Sequence, residues 1–552
     1  MKQSFSVMVA QLNPTLGDMD GNFEKIKNLY KEAILKRVDL LAFPEMFLTG
    51  YQTQDLILKK AFMIDVLQNI ERLTNELNGS PSVLVGAPLC ENNKIYNAYY
   101  LIAGGRYKIV SRKHHLPNTN VFDEQRTFSS GLVSEPFEIS GIKIGCPICE
   151  DIWFEDVAET MVKAGADLLI TPNGSPYARQ KLNIRNNLVA KRAGENRVPI
   201  VYLNMVGAQD DLVFDGASFV VNPDGKLVVS LPQFEEAEEI LRFTQVNNGW
   251  SVELGTLNFY GSAIEQDYHA MVISVRDYTK KSGFSKALIG LSGGIDSALV
   301  AAIATDALGR KNVLCVRLPS KFSSQGSLDD AKDMIDNLGC LEEMIPITPI
   351  VTAVNKSLEK VFEDFDDDLT EENIQSRLRG LILMALSNKF NMMLLTTGNK
   401  SEVAVGYSTI YGDMAGGYNP IKDLYKTRVF ETCLWRNKNY ASWMMGRDGQ
   451  VIPDSIITKP PSAELRFNQR DDDSLPPYEV LDDILEGLID RDLSVNDIVD
   501  IGYDKELVKK IENLIYLSEY KRFQAAPGPN LTDRLLGSSR RYPLVQKWRN
   551  KS

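Results

Sequence analysis

The chain contains two successive series of short apolar segments that alternate with amphipathic segments. The first series runs from "FSVMVAQL" and "NFEKIKNLYKEAILKR" through "IKIGCPIC" to "PIVYLNMVG", and the second begins at "KALIGLS". Unbroken Val, Ile and Leu runs are typical of strands buried on both faces, and helical spacing between them predicts helices that cover the sheets. The pattern therefore predicts an α/β fold, with a layered domain first and a doubly wound parallel sheet second.

The stretch between the two series is the predicted linker. At 552 residues the chain exceeds what one hydrophobic core usually organises, and "TQVNNGWSVELGTLNFYGS" interrupts the alternation. We therefore predict a first domain over 1–245, a linker over 246–262 and a second domain over 263–552. Within them, "GASFVVNPDGKLVVSL" predicts a hairpin. The proline-rich residues 453–478 predict a mobile surface segment.

The composition favours small-molecule substrates. Acidic residues outnumber basic ones by 73 to 61, a net charge of −12 that disfavours binding to nucleic acid or anionic membranes. No apolar run is long enough to span a bilayer, and the first residues lack a signal peptide, so we expect a cytoplasmic protein. The six cysteines include one close pair, a pattern that suits a reducing compartment better than a disulfide framework.

That close pair, Cys146 and Cys149 in "GCPICEDIWF", allows three interpretations. A zinc site would need a second Cys or His pair at suitable spacing, which the sequence lacks. A redox pair usually begins a helix, whereas this one follows a strand-like segment. A single reactive cysteine is the favoured interpretation.

Three strand ends in the first domain carry residues suited to one reaction. Glu45 lies in "FPEMFLTGY", Lys113 in "SRKHHLPN" and Cys149 in "ICEDIW". Residues at the carboxyl ends of strands converge on one crevice. A thiolate that attacks a carbonyl needs a base and a group that stabilises the oxyanion, and Glu45 and Lys113 are the candidates for these functions.

These segments, in this order, resemble the signatures of the nitrilase, or carbon–nitrogen hydrolase, superfamily. The resemblance implies an α-β-β-α sandwich, with Cys149 as nucleophile, Glu45 as general base, Lys113 as the stabilising cation and Cys146 as a bystander. Glu124 of "VFDEQRTF" matches a second family glutamate that positions Lys113 and the substrate. By resemblance to the glutamine-using branch, which often has tyrosine where this chain has Thr119, the implied glutamine-binding residues are Glu124, Thr119, Glu150, Trp153, Ser175 and Lys181.

The second domain opens with a candidate phosphate-binding loop. "LIGLSGGIDSALVAAIA" predicts a strand, a loop of small residues and a helix, so that backbone N–H groups form an anion cradle. No Walker A motif occurs. The loop resembles the SGGxDS loop of the N-type ATP pyrophosphatases, which have an adenine nucleotide alpha-hydrolase-like fold and transfer AMP.

Downstream segments such as "TTGNKSEVAVGYSTIYGD" resemble those of NAD synthetases. This resemblance implies Mg²⁺ bound by Asp296 and Glu402, and further substrate contacts from Lys459 and Ser462. The implied ATP-binding residues are Gly290, Leu291, Ser292, Gly293, Gly294, Ile295, Asp296, Ser297, Thr397 and Lys426. The implied residues for deamido-NAD⁺ are Asn373, Arg377, Glu402, Asp413 and Lys521.

The whole chain thus resembles the glutamine-dependent NAD⁺ synthetases. The resemblance implies that ammonia released from glutamine amidates deamido-NAD⁺ adenylated by ATP, and that the chain forms a homo-oligomer, at least a dimer. Free ammonia is mostly protonated at neutral pH, so we also expect an enclosed route for it.

Three alternatives remain open at this point. The acceptor could be another adenylated carboxylate, or the first domain could be an inactive tether. A tRNA-modifying ATP pyrophosphatase is a third alternative, although such an enzyme would be expected to carry a basic face that this acidic chain lacks.

Overall fold

The computed structural model describes residues 4–246, 249–466, 469, 471 and 475–550. It divides into two compact units, Met1–Gly261 and Ser262–Ser552. Among the described residues, no helix is both long and apolar enough to cross a membrane.

The first unit contains fifteen strands and four α-helices among its described residues. The strands are β1 (Ser4–Gln11), β2 (Leu40–Ala42), β3 (Ser82–Glu91), β4 (Lys94–Ala103), β5 (Arg106–Arg112), β6 (Phe137–Ile139), β7 (Ile142–Gly145), β8 (Leu168–Asn173), β9 (Ile200–Asn204), β10 (Val206–Gln209), β11 (Leu212–Asp215), β12 (Phe219–Val221), β13 (Leu227–Ser230), β14 (Ala237–Val246) and β15 (Gly249–Val252). The helices are α1 (Met19–Lys36), α2 (Lys60–Glu76), α3 (Glu155–Lys163) and α4 (Lys181–Asn196).

These elements form a four-layered sandwich. One sheet has the order β15-β14-β1-β2-β3-β4-β5 and the other β13-β12-β9-β8-β7-β6. Their facing sides bury a shared core that includes Val7 and Ile170. Helices α1 and α2 cover the first sheet and helices α3 and α4 the second, through separate apolar clusters. The α-β-β-α fold implied by the sequence is confirmed.

Local turn chemistry explains the predicted hairpin, which is also confirmed. Strands β12 and β13 pair antiparallel. The turn between them is closed by a 2.9 Å hydrogen bond from the Gly225 N–H to the Asn222 carbonyl. Gly225 has φ +78, a conformation that L-residues with side chains rarely adopt.

The segment predicted to be a linker, residues 246–262, is partly folded into the first unit. Part of it, Gly249–Val252, forms β15, which extends the first sheet by pairing with β14. Further along, the Asn258 N–H donates a 2.7 Å hydrogen bond to Ser230 Oγ. Much of this stretch therefore belongs to the first unit, while residues 247 and 248 lie outside the described part of the chain.

The second unit contains four described strands and twelve described α-helices. The strands are β16 (Ala287–Gly290), β17 (Val313–Arg317), β18 (Leu341–Met344) and β19 (Met393–Leu395). The helices are α5 (Ala263–Lys281), α6 (Ile295–Leu308), α7 (Gln325–Leu338), α8 (Thr348–Leu358), α9 (Leu369–Phe390), α10 (Lys400–Val405), α11 (Lys426–Lys438), α12 (Asp454–Thr458), α13 (Tyr478–Leu485), α14 (Val495–Asp500), α15 (Lys505–Leu517) and α16 (Glu519–Arg522).

The four strands form the predicted doubly wound sheet. Their order is β18-β17-β16-β19, and all three neighbouring pairs are parallel. The chain moves outward from β16 to β18 and then returns to the other side of β16 with β19. This reversal creates a switch point where the loops after β16 and β19 separate, the usual place for a ligand in such sheets.

The expectation of a mobile surface segment over residues 453–478 is wrong for much of its described part. Helix α12 lies in it, and Ser455 Oγ donates a 2.6 Å hydrogen bond to Asp330. Asp471 and Leu475 are buried. The prolines therefore mark an irregular but packed segment.

Candidate active sites

Glu45 is a fully hydrogen-bonded buried carboxylate just beyond β2. Its Oε1 accepts hydrogen bonds from Asn97 Nδ2 at 2.6 Å and Lys113 Nζ at 2.9 Å. Its Oε2 accepts a 2.7 Å hydrogen bond from the backbone N–H of Gly174, which follows β8. Three strand ends therefore meet at one carboxylate, as the sequence predicted for Glu45 and Lys113.

Lys113 lies between two acids. Its Nζ is 2.9 Å from Glu45 Oε1 and 2.9 Å from Glu124 Oε2, and all three side chains are buried. Burial would lower the pKa of Lys113, but Glu124 and Glu45 outweigh it and raise the pKa well above its ordinary value. Burial raises the pKa of Glu124 to about 7 against the opposing charge of Lys113. Tyr51 also donates a 2.8 Å hydrogen bond to Glu124.

Cys149 begins a short 3₁₀ helix, Cys149–Ile152, directly after the turn that follows β7. Its φ of 48 is left-handed, an uncommon conformation for a residue with a side chain. Burial and the Glu45 carboxylate raise the pKa of its thiol well above the ordinary value, while Lys113 opposes them. The thiol is thus close enough to both predicted partners for their charges to act on it.

Asp151 is a buried residue that the sequence analysis did not assign. Its Oδ1 accepts hydrogen bonds from the backbone N–H groups of His114 at 3.0 Å and His115 at 2.8 Å. Its Oδ2 accepts one from Ile148 at 2.9 Å. Burial raises its pKa to about 6. This carboxylate ties the segment after Lys113 to the Cys149 turn, and its position two residues after Cys149 is the one available sequence signal.

The predicted glutamine-binding residues are only partly brought together. Glu150 is half-buried; burial raises its pKa, and the charges of Lys113 and Lys181 oppose this. Both lysines thus lie within electrostatic reach of it. Trp153 is partly buried against the cluster under α3 and α4. Thr119 is exposed, and its carbonyl accepts a hydrogen bond from the Phe122 N–H.

Ser175 belongs to a buried polar network that the sequence did not reveal. Its hydroxyl accepts a 3.1 Å hydrogen bond from Arg185 Nε, and its backbone N–H donates to Asn204 Oδ1 at 3.0 Å. Arg185 also forms a 2.8 Å ion pair with Asp215. All four residues are buried. The network fixes the segment that supplies the Gly174 N–H to Glu45.

In the second unit, the glycine-rich loop joins β16 to α6. The Ser292 and Ser297 hydroxyls are 3.1 Å apart, and the Gly294 N–H donates a 3.2 Å hydrogen bond to Ser292 Oγ. Gly293 has φ +81, and a Cβ there would lie 2.2 Å from the Ser327 carbonyl oxygen. The loop thus requires glycine both for its backbone conformation and for its close approach to α7. Gly290, Leu291, Ile295 and Asp296 complete this strand–loop–helix unit.

Lys426, the first residue of α11, joins the two carboxylates predicted to bind metal. Its Nζ forms hydrogen-bonded ion pairs with Asp296 and, at 3.2 Å, with Glu402. Burial raises the pKa of Glu402 to about 8, with Lys426 opposing and Asp296 adding to the rise. Asn399, which the sequence analysis missed, donates a 2.9 Å hydrogen bond to Asp296 Oδ1 and caps α10. Thr397 is two residues earlier in the same loop and half-buried.

Four residues predicted to contact the dinucleotide lie in or beside the segment 406–413. Lys521 Nζ donates 2.7 Å hydrogen bonds to the carbonyls of Gly406 and Ser408. Arg377 donates to the Ile410 carbonyl at 3.2 Å. Two side-chain contacts complete the group: Asn373 Oδ1 accepts from Thr409 Oγ1 at 2.9 Å, and Asp413 Oδ1 accepts from Ser376 Oγ at 3.0 Å. Glu402, the fifth predicted residue, instead lies with Lys426.

Lys459 attaches residues after α12 to the glycine-rich loop. Its Nζ donates hydrogen bonds to the Gly293 carbonyl at 2.9 Å and to Ser327 Oγ at 2.9 Å, and pairs with Asp330 at 2.8 Å. Ser462 instead donates to the Gln469 carbonyl at 2.6 Å. Of these two predicted residues, only Lys459 contacts the loop directly.

Comparison with known proteins agrees with this two-site organisation. A carbon-nitrogen hydrolase family model matches residues 6–246, and an NAD synthase family model matches residues 267–525. The chain is therefore an amide-cleaving hydrolase domain fused to a nucleotide-using synthase domain.

Full-length relatives define the family more narrowly. The chain is 53% identical over 552 residues to a glutamine-dependent NAD(+) synthetase of Rhodobacter capsulatus, with 100% of both chains covered. It is 42% identical to the Synechocystis sp. enzyme of the same name, over 98% of this chain and 99% of the relative. The chain belongs to the glutamine-dependent NAD(+) synthetase family.

A solved structure supports the same grouping. The glutamine-dependent NAD+ synthetase of Acinetobacter baumannii, in complex with adenosine diphosphate, superposes with a TM-score of 0.77. It is 36% identical to this chain, and all of both chains is covered.

Proposed function

We propose that this protein is a ligase that makes NAD⁺ from deamido-NAD⁺ and ATP, with glutamine as the source of nitrogen. The observation that carries the proposal is the buried Glu45–Lys113–Glu124 arrangement beside Cys149 in a chain that also has the glycine-rich nucleotide loop. A hydrolase alone needs no such loop, and a synthase that uses free ammonia needs no thiol site.

In the first unit, the chemistry begins with a neutral thiol. Because burial raises the pKa of Cys149, Glu45 takes the thiol proton as sulfur attacks the glutamine carboxamide carbon. Lys113 stays charged, since its pKa is raised, and stabilises the oxyanion that forms. Glu45 returns the proton to the departing ammonia, and the C–N bond breaks to leave a thioester.

Hydrolysis of the thioester repeats these steps with water. Glu45 takes a proton from the water, whose oxygen attacks the acyl carbon, and the sulfur leaves as glutamate forms. Cys149 then regains its proton. Glu124 supports Lys113 from its other side, and Glu150 and Lys181 carry charges suited to the amino acid end of glutamine.

In the second unit, the nucleotide carboxylate attacks the α-phosphorus of ATP and pyrophosphate leaves. Ammonia then attacks the adenylated carbonyl, and AMP departs as the amide forms. The loop between Ser292 and Ser297 places backbone N–H groups and the first turn of α6 where phosphate binds. The ADP complex of the Acinetobacter baumannii relative supports nucleotide binding in this fold.

We further propose that Asp296 and Glu402 hold Mg²⁺ with the phosphates of ATP. Their donor chemistry fits, because Mg²⁺ prefers a few carboxylate oxygens together with phosphate oxygens. The electrostatics also fit. Burial and the Asp296 charge raise the pKa of Glu402 to about 8 even though Lys426 pairs with both acids, so a further positive charge between the two carboxylates would stabilise their ionised forms. When bound, Mg²⁺ would neutralise phosphate charge. With the two acids on the metal, Lys426 would be free to bind a phosphate oxygen.

The group around segment 406–413 is the proposed binding site for deamido-NAD⁺. Arg377 is exposed and Lys521 is partly exposed, so both cations can be reached by an anionic ligand. Asp413, the last residue of this segment, and Asn373, on α9 beside it, offer hydrogen-bonding groups. A cytoplasmic location fits these substrates.

A homodimer formed through the second unit is also proposed. Helix α9 packs Ile382, Leu383 and Leu386 against the core beneath the sheet. Leu381 and Met384 are exposed on the same helix, at 64% and 38% of their surface. An apolar helix face of this kind suits an isologous contact with a second copy. Light scattering of Leu381→Glu should detect a smaller species than the wild type.

The test of the main proposal uses Cys149→Ala with either glutamine or ammonium chloride as nitrogen source. We expect the variant to lose synthesis with glutamine and to keep synthesis with ammonium, measured as NAD⁺ and AMP from ATP, Mg²⁺ and deamido-NAD⁺. Cys146→Ala is the matched control, a buried cysteine three residues away that should keep both activities. Loss of both activities in a folded Cys149→Ala protein would contradict the proposed division.

A further inference from the structure

Two of the three histidines of this chain converge on one acid beside the thiol site. His114 and His115 directly follow Lys113, and Asp156 lies in the first turn of α3. The His114, His115 and Asp156 ligand atoms all lie within 4.8 Å of one another. We propose that these three side chains bind one divalent transition metal ion of the zinc type, a function that the NAD⁺-forming reaction does not require.

The hydrogen bonding of His114 presents a lone pair to this site. Its Nδ1 is 2.7 Å from the Gly131 carbonyl oxygen. Because a carbonyl can only accept, Nδ1 carries the proton of the neutral ring, and Nε2 of that ring keeps its lone pair. That Nε2 lies 4.0 Å from Asp156 Oδ2. A backbone carbonyl that fixes the second ring nitrogen is the usual support for a metal-binding histidine.

His115 and Asp156, the other two proposed ligands, need to move apart only slightly to bind an ion between them. His115 Nε2 is 2.9 Å from Asp156 Oδ1 and 3.0 Å from Oδ2. Zinc binds imidazole nitrogen and carboxylate oxygen at about 2.0 to 2.2 Å, so an ion would replace this direct hydrogen bond with two metal bonds. The His115 ring stacks on Phe154 at 4.0 Å, which limits its rotation.

The donor set selects the kind of ion. Two imidazole nitrogens and one carboxylate favour zinc and its neighbours over Mg²⁺ or Ca²⁺, which prefer oxygen ligands. The side chains are partly exposed, at 31%, 23% and 55% for His114, His115 and Asp156, so an ion can enter from solvent. Three protein ligands leave a fourth position for water.

The location of the proposed metal site predicts an effect on the stability of the first unit. A bound ion would join the residues after Lys113 to α3, which follows the Cys149 turn. Asp151 already joins the residues after Lys113 to the Cys149 turn through backbone hydrogen bonds. Metal binding should therefore stabilise the first unit, since a ligand that binds only the folded state raises its stability.

The test measures Zn²⁺ binding to the full chain by competition with a chromophoric chelator, and Co²⁺ binding by absorption. We expect one ion per chain and a rise in melting temperature with Zn²⁺. His114→Gln, His115→Gln and Asp156→Asn should each weaken the apparent affinity at least about tenfold. These changes keep the backbone N–H groups that bind Asp151, and Asp156 is exposed, so folding is preserved and can be verified by circular dichroism.

Two controls separate this site from other possible ligands. His269→Gln removes the third histidine, which is buried against Trp443, and should bind as the wild type does. Cys90→Ser removes the exposed cysteine and should also have no effect. Undetectable binding, unchanged affinity in all three ligand variants, or a thiolate-to-cobalt absorption band would overturn the proposal.

Discussion

Asp151 accepts a 2.8 Å hydrogen bond from the backbone N–H of His115, so a carboxylate two residues after Cys149 holds the segment that begins at Lys113. The thiol and the ammonium come from strands β7 and β5, which belong to different sheets. Their relative placement therefore depends on a link across the sandwich, and Asp151 supplies one.

Replacement of Asp151 by Asn should impair glutamine hydrolysis without impairing synthesis from ammonium. An amide has one acceptor oxygen, so its NH₂ group must face a backbone N–H that the carboxylate accepted. Displacement of catalytic groups by about 1 Å costs about 100-fold in rate, and we expect a fall in kcat of that order with a smaller change in KM. Steady-state glutaminase kinetics measure it.

Glu159→Gln, an exposed change in α3, is the control for this variant and should behave as the wild type. Full glutaminase activity in Asp151→Asn would show that the link has no catalytic importance.

Ionisation of Glu124 should lower the free energy of unfolding as the pH rises from about 4.5 to about 7. Its folded pKa of about 7 exceeds the ordinary value of 4.5, so the folded state binds the proton more tightly than the unfolded state. The contribution of Glu124 to the free energy of unfolding is about 3 kcal/mol. It is fully present below pH 4.5 and is lost above pH 7.

Glu124→Gln keeps an oxygen that can accept from Tyr51 and Lys113 but does not titrate. The melting temperature of the wild type, relative to this variant, should therefore fall between pH 5 and pH 7.5. A constant difference across this range would contradict the assignment. Comparison of the two proteins cancels the contributions of Asp151 and Glu402, whose pKa values are also raised.

Gly293→Ala should abolish synthesis with either nitrogen source while glutaminase activity persists. The new Cβ would lie 2.2 Å from the Ser327 carbonyl oxygen, so the loop must move away from α7. Gly283→Ala is a matched control, because Gly283 has φ +82 but no atom of the described residues lies within 4 Å of the place that its new methyl group would occupy. Left-handed strain alone costs about 1 to 2 kcal/mol, and only Gly293→Ala should lose ATP-dependent AMP formation. Equal loss in both variants would attribute the effect to strain.

Glu402→Gln should raise the Mg²⁺ concentration that gives half-maximal ammonium-supported synthesis by about tenfold or more, since an amide oxygen is a weaker ligand than a carboxylate. Glu402 also completes the capping box of α10, as Glu371 does for α9. Glu371→Gln therefore tests the capping contribution alone and should leave the Mg²⁺ requirement unchanged. The Mg²⁺ dependence of AMP formation measures both. An unchanged requirement in Glu402→Gln would exclude this residue as a ligand.

The sequence predicted the layered folds and the placement of Glu45 and Lys113, because buried strands and polar strand ends leave local signatures. It did not predict Asn97, Asn204 or Arg185, since their contacts join segments far apart in the chain. It also missed β15, because the short "GWSV" segment is a strand only through its pairing with β14. Residues 453–466 carry loop-like composition, yet Lys459 anchors them through atoms of Gly293 and Asp330.

The burial of Cys149, which raises the pKa of its thiol, also affects how readily the sulfur reacts with reagents other than substrate. Oxidants and alkylating reagents react with thiolates far faster than with thiols. In the proposed mechanism the sulfur gives up its proton only as an amide approaches, and it would therefore be shielded from peroxide and other electrophiles while no substrate is bound. The burial that raises the pKa of the Cys149 thiol would thus also keep the proposed nucleophile intact until substrate binds.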